Sequence, residues 1–517
     1  MKTPRSIDLY AIAENAMKRY GFIPKFPAPV LEEVKRIAAL PASERSSGNP
    51  ARDLRSFLWS SIDNSDSMDL DQMEYCEPGA DGEIRVWIAI ADVDTCVRQK
   101  SRADEYAAHN GTSVYTGIVT FPMLPDILSK GITSLLPGQD CPAIVIEYTV
   151  LVDGSVRHGD IYRATVANKA KLIYEQVGDW LDGRTPIPES VRNVPGLEEQ
   201  IRLQAEATIH LRKYRMAQGA LDLETIEAQP VLEDGVVKDL VVQSENMARH
   251  LIEEFMIAAN GAMVNYLGNA GVPMIQRVVR SPKYWDKIML VAMALGTTLP
   301  EKPDSKALAD FLMRERESDP ARFPDLSLTV IKLIGAGEYM TLEPGEPPYG
   351  HFGLAVTDYT HGTAPNRRYV DLIIQRLIKS ILDRVVQPYT LDDLTEQALW
   401  LTDREKGSKK VERFMRKAAA AVLLMDRIGE SFEAFVTGAS EKGTYVRLMA
   451  IPAEGRVISG ERGLSVGDKI QVRLIKTDPE NGFIDFERFG GKRELSGHAR
   501  QYRKFSSHGR GHPSNHR

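Results

Sequence analysis

The densest group of acidic side chains lies early in the chain, where Asp63, Asp66, Asp69, Asp71 and Glu74 fall within twelve positions. Asp69 and Asp71 are two residues apart, so an extended backbone directs both to one face. The turn-prone sequence N-S-D-S that follows Asp63 can fold this residue back beside them. At a separation of about 4 Å, each pair of carboxylates repels by roughly 4 kcal/mol at an effective dielectric of 20. Such a cluster needs a cation or raised pKa values.

This acidic segment predicts a site for a hard metal ion, because ligand sets made only of oxygen select ions such as Mg²⁺ or Mn²⁺. Carboxylate-held Mg²⁺ can activate a water molecule as a nucleophile, and a second ion can stabilise the leaving oxygen of a phosphodiester. Phosphodiester hydrolysis is therefore the chemistry that the segment favours. The alternative is a solvated acidic turn without a metal, and spacing alone leaves both open.

A second segment, T-H-G-T-A-P-N-R-R-Y-V-D-L, offers ligands for a phosphate. Pro365 and Asn366 stand where a helix is expected to begin, and Asn366 is a candidate N-cap. Arg367 and Arg368 would then lie at a helix N-terminus, whose free N–H groups favour anions. Arginine also binds phosphate in a bidentate manner. The alternative is that these arginines are surface charges or partners of carboxylates.

Strands and helices that could hold these segments follow from hydrophobic patterning. Two short helices are predicted before residue 50. The runs R-V-W-I-A-I-A-D and A-I-V-I-E-Y-T-V-L-V predict strands buried on both faces, between about residues 53 and 160. Helices are predicted to dominate from about 165 to 425, including a strongly apolar helix from about Arg367 to Val386.

The region after this helical part is predicted to be a small barrel. Five short strands in about sixty residues are typical of an OB fold. Four side chains could form an aromatic and cationic platform for single-stranded RNA, although some of them must belong to the core; they are Phe432, Phe435, Tyr445 and Arg447.

Composition narrows the class of protein. The chain has 517 residues, of which 43% are hydrophobic and 26% charged, and this excludes a disordered chain or a collagen. Three cysteines without a C-x-x-C pair predict a reducing compartment, and the absence of an apolar run near 20 residues predicts no membrane span. We therefore expect a cytoplasmic protein. Although the net charge is −6, residues 490–517 hold seven Lys or Arg and one Glu, which predicts an RNA-seeking arm or a merely solubilising tail.

Four blocks, in this order, resemble the catalytic domain of the ribonuclease II / ribonuclease R (RNB) family. They are the acidic cluster, S-V-Y-T-G-I-V-T-F-P-M-L-P, L-I-E-E-F-M-I-A-A-N and H-F-G-L-A-V-T-D-Y-T-H-G-T-A-P-N-R-R-Y-V-D-L-I-I-Q-R. The resemblance implies an α+β fold, with an RNB catalytic domain (a mixed sheet wrapped by helices) followed by an OB-fold β-barrel that resembles the RNA-binding module named after ribosomal protein S-one. The implied domains are a short helical N-terminal segment at 1–50, the catalytic domain at 51–425, the barrel at 427–489, and a basic, disordered tail at 490–517.

The resemblance also implies an activity, namely magnesium-dependent hydrolysis of single-stranded RNA from its 3′ end to nucleoside 5′-monophosphates, with Mn²⁺ as a possible substitute. Asp63, Asp69 and Asp71 match three of the four metal-binding aspartates of the family, and Asp71 matches the one whose loss is expected to stop hydrolysis while RNA stays bound. The fourth position is Gln72, an oxygen ligand without charge.

RNA contacts follow from the same resemblance. Tyr115 matches the tyrosine that stacks on the 3′-terminal base, and Arg367 matches a catalytic arginine that neutralises the scissile phosphate. Arg368 and Tyr369 match RNA-binding positions beside it.

Several departures leave other functions open. Gln72 removes one negative charge, and Ala364, Asn366, Val370 and Gln375 replace residues usual in the arginine block. A catalytically impaired RNB-fold protein that binds RNA 3′ ends is therefore the alternative, and a DNA-directed nuclease is a third hypothesis. Fifty N-terminal residues are also too few for the two cold-shock barrels that such enzymes usually carry there.

Overall fold

The strands fall into a larger N-terminal group and a smaller C-terminal group in the structure, a computed structural model that describes residues 7–41, 51–224, 228–233, 236–242, 245–320, 322–440 and 443–489. The strands are β1 (Arg52–Asp53), β2 (Ser60–Asp63), β3 (Gln72–Pro78), β4 (Ile84–Ala91), β5 (Val114–Tyr115), β6 (Thr120–Phe121), β7 (Asp140–Val150), β8 (Val156–Ala167), β9 (Ala170–Ile173), β10 (Ala228–Glu233), β11 (Val236–Val242), β12 (Met274–Val278), β13 (Glu338–Leu342), β14 (Ser431–Ser440), β15 (Gly443–Leu448), β16 (Glu454–Ser459), β17 (Lys469–Asp478) and β18 (Phe483–Arg488).

Helices cover the larger group of strands and join it to the smaller one. They are α1 (Leu9–Arg19), α2 (Ala28–Ala39), α3 (Arg102–Asn110), α4 (Tyr174–Leu181), α5 (Glu189–Arg192), α6 (Leu197–Ala217), α7 (Met247–Asn269), α8 (Trp285–Ala294), α9 (Ser305–Ser318), α10 (Phe323–Ile334), α11 (Tyr369–Asp383) and α12 (Leu391–Leu423). Short helical turns lie at Ala80–Gly82, Val93–Thr95, Leu128–Ile132, Phe352–Leu354 and Met425–Arg427.

A mixed sheet forms the centre of the larger domain. In the described part of the chain its seven strands run in the order β1-β8-β7-β4-β3-β2-β9. The pairs β1/β8 and β2/β9 are parallel and the others are antiparallel. Every residue of β4 except Arg85 is buried, which a continuous apolar strand requires when both faces of the sheet are covered. The predicted α+β class, with helices around a mixed sheet, is confirmed.

Helix α11 is the most enclosed helix of this domain. All its residues from Tyr369 to Ser380 are buried, including the polar side chains Asp371, Gln375, Arg376 and Lys379, which have hydrogen-bond or ion-pair partners within the protein. The predicted helix is therefore confirmed, but it begins at Tyr369 and Asn366 is not its N-cap. Arg368 occupies the N-cap position and provides no capping hydrogen bond from its side chain.

The N-terminal segment and the barrel also follow the prediction. In the described residues before 51, α1 packs against α12 and α2 packs against α3. Strands β14 to β18 close into a barrel in the order β14-β15-β16-β18-β17, as predicted for an OB fold. Residues 490–517, for which we predict a basic tail, lie outside the described residues. Within the described ranges, no helix is both long and apolar enough to cross a membrane.

Candidate active site

The two neighbouring strands β2 and β3 bring the acidic residues to one end of the sheet. Asp63 is the last residue of β2, and Asp71 directly precedes β3. Asp71 is buried, and its Oδ1 accepts a hydrogen bond from the backbone N–H of Asn366 at 2.9 Å. The acidic segment and the arginine block, almost 300 residues apart in sequence, therefore meet at Asp71.

The arginine block places one cation beside these acids. The Nε of Arg367 lies 3.5 Å from Oδ2 of Asp71, and the Arg367 side chain is 43% exposed. Its charge is therefore balanced on one side by Asp71 and accessible to solvent on the other. An anionic ligand could approach Arg367 from this accessible side.

Tyr115 lies at the edge of the same cluster. The residue is 43% exposed, and its hydroxyl donates a hydrogen bond to Oδ2 of Asp69 at 3.4 Å. The strand that carries Tyr115 is attached to the arginine block, because the N–H of Ser113 donates to the carbonyl of Arg367 at 2.9 Å. Tyr115, the acids and Arg367 therefore form one connected group of side chains.

Burial makes Asp63 and Asp71 hard to ionise. It raises the pKa of Asp63 to about 7, with a further contribution from the negative charge of Asp71. Burial likewise raises the pKa of Asp71 to about 7, although Arg367 and the Asn366 N–H oppose the increase. Arg367 alone therefore does not neutralise the two acids.

The donor set fits a hard divalent cation. Oδ2 of Asp63 and Oδ2 of Asp71 are buried and accept no hydrogen bond from the residues that the structure describes, and only the Asp71 oxygen has Arg367 beside it, at 3.5 Å. Buried charged oxygen is costly unless a cation or proton satisfies it. In that same part of the chain, no three His, Cys, Asp or Glu side chains converge closely enough to enclose an ion as they stand. The oxygen chemistry thus suits Mg²⁺ or Mn²⁺, while the predicted ligands Asp63, Asp69, Asp71 and Gln72 stay a prediction.

Two predicted RNA-binding residues are instead engaged within the protein. Arg368 forms a bidentate ion pair with Asp371, with both distances 2.8 Å. Tyr369 is 3% exposed, and its hydroxyl donates to Asp104 at 2.9 Å. Both side chains therefore anchor the start of α11, and the structure gives no support to their predicted RNA contacts.

Asn366, the candidate N-cap, also has a different role. It is buried, its Oδ1 accepts a 2.6 Å hydrogen bond from the Thr133 hydroxyl, and its backbone N–H serves Asp71. The sequence carries no signal for a backbone donor of this kind, because the contact joins segments that only the fold brings together.

Only part of the aromatic and cationic platform predicted on the barrel is free to contact RNA. Phe432 belongs to the barrel core, and Arg447 forms an ion pair with Asp325 at 2.8 Å. Phe435 and Tyr445 are half-buried, and their stacking on RNA stays a prediction.

Two protein families match this chain. The RNB domain matches residues 51–384, and the RNase II-type exonuclease C-terminal S1 domain matches residues 430–489. Ribonuclease R from Thermotoga maritima is 30% identical over 496 residues, which cover 89% of this chain and 68% of that protein. Ribonuclease R 1 from Lactococcus lactis is 26% identical and covers 94% of this chain and 62% of its own length. The chain thus spans about two thirds of these relatives.

Solved structures share the fold. Mycoplasma genitalium RNase R in complex with ribose methylated single-stranded RNA has a TM-score of 0.83 at 22% identity, covering 93% of this chain and 78% of that one. Yeast Ssd1, described as a pseudonuclease, has a TM-score of 0.67 at 13% identity, covering 91% of this chain and 58% of that one. The fold is therefore that of RNase R.

Proposed function

This chain belongs to the RNB domain family, and from that premise we propose that it is a metal-dependent exoribonuclease that hydrolyses single-stranded RNA from the 3′ end. Its products are nucleoside 5′-monophosphates and its metal is Mg²⁺, with Mn²⁺ as a possible substitute. The proposed place of action is the cytoplasm, in line with three buried cysteines that are not in disulfides.

One observation carries the proposal. Asp71 contacts both the backbone of Asn366 and the guanidinium of Arg367, and Asp69 contacts the exposed ring of Tyr115. Acids, a half-exposed cation and an aromatic residue are thus grouped in one site, and we assign the cation to the phosphate and the aromatic ring to the terminal base. These are the groups that hydrolysis at the end of an RNA chain requires.

Each residue has a defined part in the proposed reaction. Tyr115 stacks on the terminal base and so sets the position of the last phosphodiester. Arg367 faces the scissile phosphate and offsets the negative charge that grows in the transition state. Asp63, Asp69 and Asp71, with Gln72, hold the metal, which supplies an activated water when bound.

The direct test is incubation of the purified protein with 5′-labelled single-stranded RNA, with and without Mg²⁺ or Mn²⁺. We expect metal-dependent shortening from the 3′ end with release of 5′-mononucleotides. A labelled DNA of the same sequence is the matched control and should persist. Shortening from the 5′ end, or products with a 3′-phosphate, would contradict the proposal.

Gln72 favours a second candidate, an RNA-binding protein that sequesters 3′ ends without cutting them. A neutral amide in the metal site lowers the negative charge available to a cation. If the labelled RNA is retarded in a native gel but remains intact at every metal concentration, this second function is the correct one.

Replacing Tyr115 with Leu should weaken binding of the RNA 3′ end by about 5- to 150-fold, the equivalent of the roughly 1–3 kcal/mol that stacking on one base contributes. Fluorescence anisotropy in the presence of EDTA measures this affinity without cleavage. The Tyr115→Phe variant keeps the ring and loses only the hydroxyl, so its affinity should remain near that of the parent. Equal losses in both variants would show that the hydroxyl matters and stacking does not.

The stabilisation of the folded protein by Mg²⁺ should increase as the pH rises from about 6 to about 8, because the pKa values of Asp63 and Asp71 are raised to about 7. Below this range both acids hold protons that a cation must displace. Their folded-state pKa values exceed the unfolded-state values, so ionisation destabilises the metal-free protein as the pH rises towards about 7. Thermal unfolding with and without Mg²⁺ across this range measures the effect. A pH-independent increase in Tm would contradict it.

A further inference from the structure

Glu74 lies on the same strand and the same face as Gln72. Both residues belong to β3, and they pair with Ile88 and Ile90 of β4, respectively. On its other side, Glu74 pairs with Ser60 of β2, the strand that ends at Asp63. Because side chains two residues apart on a strand point the same way, Glu74 lies on the face of β3 that carries Gln72, one step further into the sheet.

Glu74 is a buried acid without a partner. Its side chain is fully buried, and neither carboxylate oxygen has a hydrogen-bond partner on another residue of the described ranges. Burial raises its pKa well above the usual value, and the next contribution is the negative charge of Asp63. Buried polar groups in folded proteins are nearly always hydrogen-bonded, so an acid placed here needs a further explanation.

A hydrogen-bonding role in the protein core does not provide that explanation. A protonated Glu74 would donate to a neighbouring acceptor, but no such contact is present among the residues described. The nearby hydroxyl of Tyr148 donates to the carbonyl of Phe255 at 3.4 Å. The Nε2 of Gln204 reaches the backbone carbonyl of Glu74, at 3.5 Å, and not its carboxylate.

We propose that Glu74 is a further ligand of the divalent cation, supplying from β3 the negative charge that Gln72 lacks. The observations behind this are the shared strand face, the complete burial, and the unpartnered oxygens of Glu74 and Asp63. A cation between two unpaired carboxylates satisfies both at once. The inference rests on the proposed metal-dependent function and adds one residue to its metal site.

The test is calorimetric titration of the whole protein with Mn²⁺ alone, in the absence of RNA. Glu74→Gln preserves the shape and removes the charge, and we expect it to raise the Kd for Mn²⁺ by about 10- to 100-fold, the range seen when groups that support a metal are removed. In thermal unfolding, the same variant should have a metal-free Tm at or above that of the parent, with a smaller increase on adding Mn²⁺.

Two further variants make the result specific. Glu77→Gln removes an acid from the same strand on its opposite face, where Glu77 accepts a hydrogen bond from Tyr75, and should leave the Kd for Mn²⁺ unchanged. The double variant Gln72→Asp/Glu74→Gln returns a carboxylate to the face that lost one and should regain affinity. Failure to regain it would show that the two positions do not serve one ion.

The outcomes separate this inference from the proposed function. If the parent binds Mn²⁺ and degrades RNA while Glu74→Gln binds Mn²⁺ equally well, the inference is wrong and the proposed function stands. If the parent neither binds Mn²⁺ nor degrades RNA, both are wrong.

Discussion

Replacing Asp71 with Asn should lower the turnover of single-stranded RNA by at least about a hundredfold, the order expected when a group that stabilises charge in the transition state is lost. The Asn side chain keeps an oxygen that can accept the Asn366 N–H, which Asp71 accepts at 2.9 Å. The arginine block should therefore keep its position. Affinity for RNA, measured in EDTA, should stay within about threefold of the parent, because Arg367 and Tyr115 remain in place.

Asp66→Asn is the matched control for Asp71→Asn. Asp66 is exposed and lies in the same acidic segment, so the variant makes the same change in charge without touching the cluster. Its turnover should equal that of the parent. If Asp71→Asn degrades RNA as fast as Asp66→Asn, Asp71 has no part in catalysis.

Elements with a strong local pattern could be predicted from sequence. The strand β4, the helix α11 and the barrel all have uninterrupted or periodic apolar residues, and such patterns depend on near neighbours in the chain. The start of α11 could not be placed in the same way. Asparagine is a residue type that is common at N-caps. The Asn366 side chain, however, bonds to Thr133 and its backbone N–H bonds to Asp71. These tertiary contacts outweigh the local preference.

The site shows the same division. Spacing placed Asp69 and Asp71 together in an acidic segment, and the resemblance to a family supplied Tyr115 and Arg367. Neither could show that Arg368 is paired with Asp371. An arginine that binds RNA and an arginine that pairs with a carboxylate inside the protein look the same in the sequence. The partial burial of the Arg368 side chain distinguishes these two roles, and burial depends on the whole fold.

Glu74 illustrates the opposite case. Its position in the acidic segment was visible in the sequence, but its strand face and its lack of a partner were not. An acid in the interior of a sheet is energetically costly. The burial of Glu74 is therefore stronger evidence for a function than its position in an acidic segment of the sequence. Departures from a family pattern are therefore best interpreted together with the buried groups around them.

Replacing Arg376 with Met should lower the free energy of unfolding of the larger domain by about 3–5 kcal/mol, the cost of leaving the buried acid Asp104 without its charged partner. The Arg376 side chain is 3% exposed and bonds to Asp94 and Asp104, both at 2.8 Å, and to the carbonyl of Val97 at 2.6 Å. Urea unfolding followed by tryptophan fluorescence measures the loss. All five tryptophans precede residue 427, so the signal reports on the larger domain and not on the barrel.

Two variants separate the loss of this ion network from a general effect of removing arginine. Arg102→Met removes an exposed charge from α3, the helix that also carries Asp104, and should cost less than about 1 kcal/mol. Arg376→Met/Asp104→Asn removes the acid that has lost its cation and should recover part of the stability, since residues within one network are not additive. Equal costs for Arg376→Met and Arg102→Met would show that the network contributes no more than a surface pair.

The network matters for the site because Arg376 and Asp104 both contact the hydroxyl of Tyr369, the first residue of α11. They thereby fix the point at which the chain leaves Arg367 and enters the core.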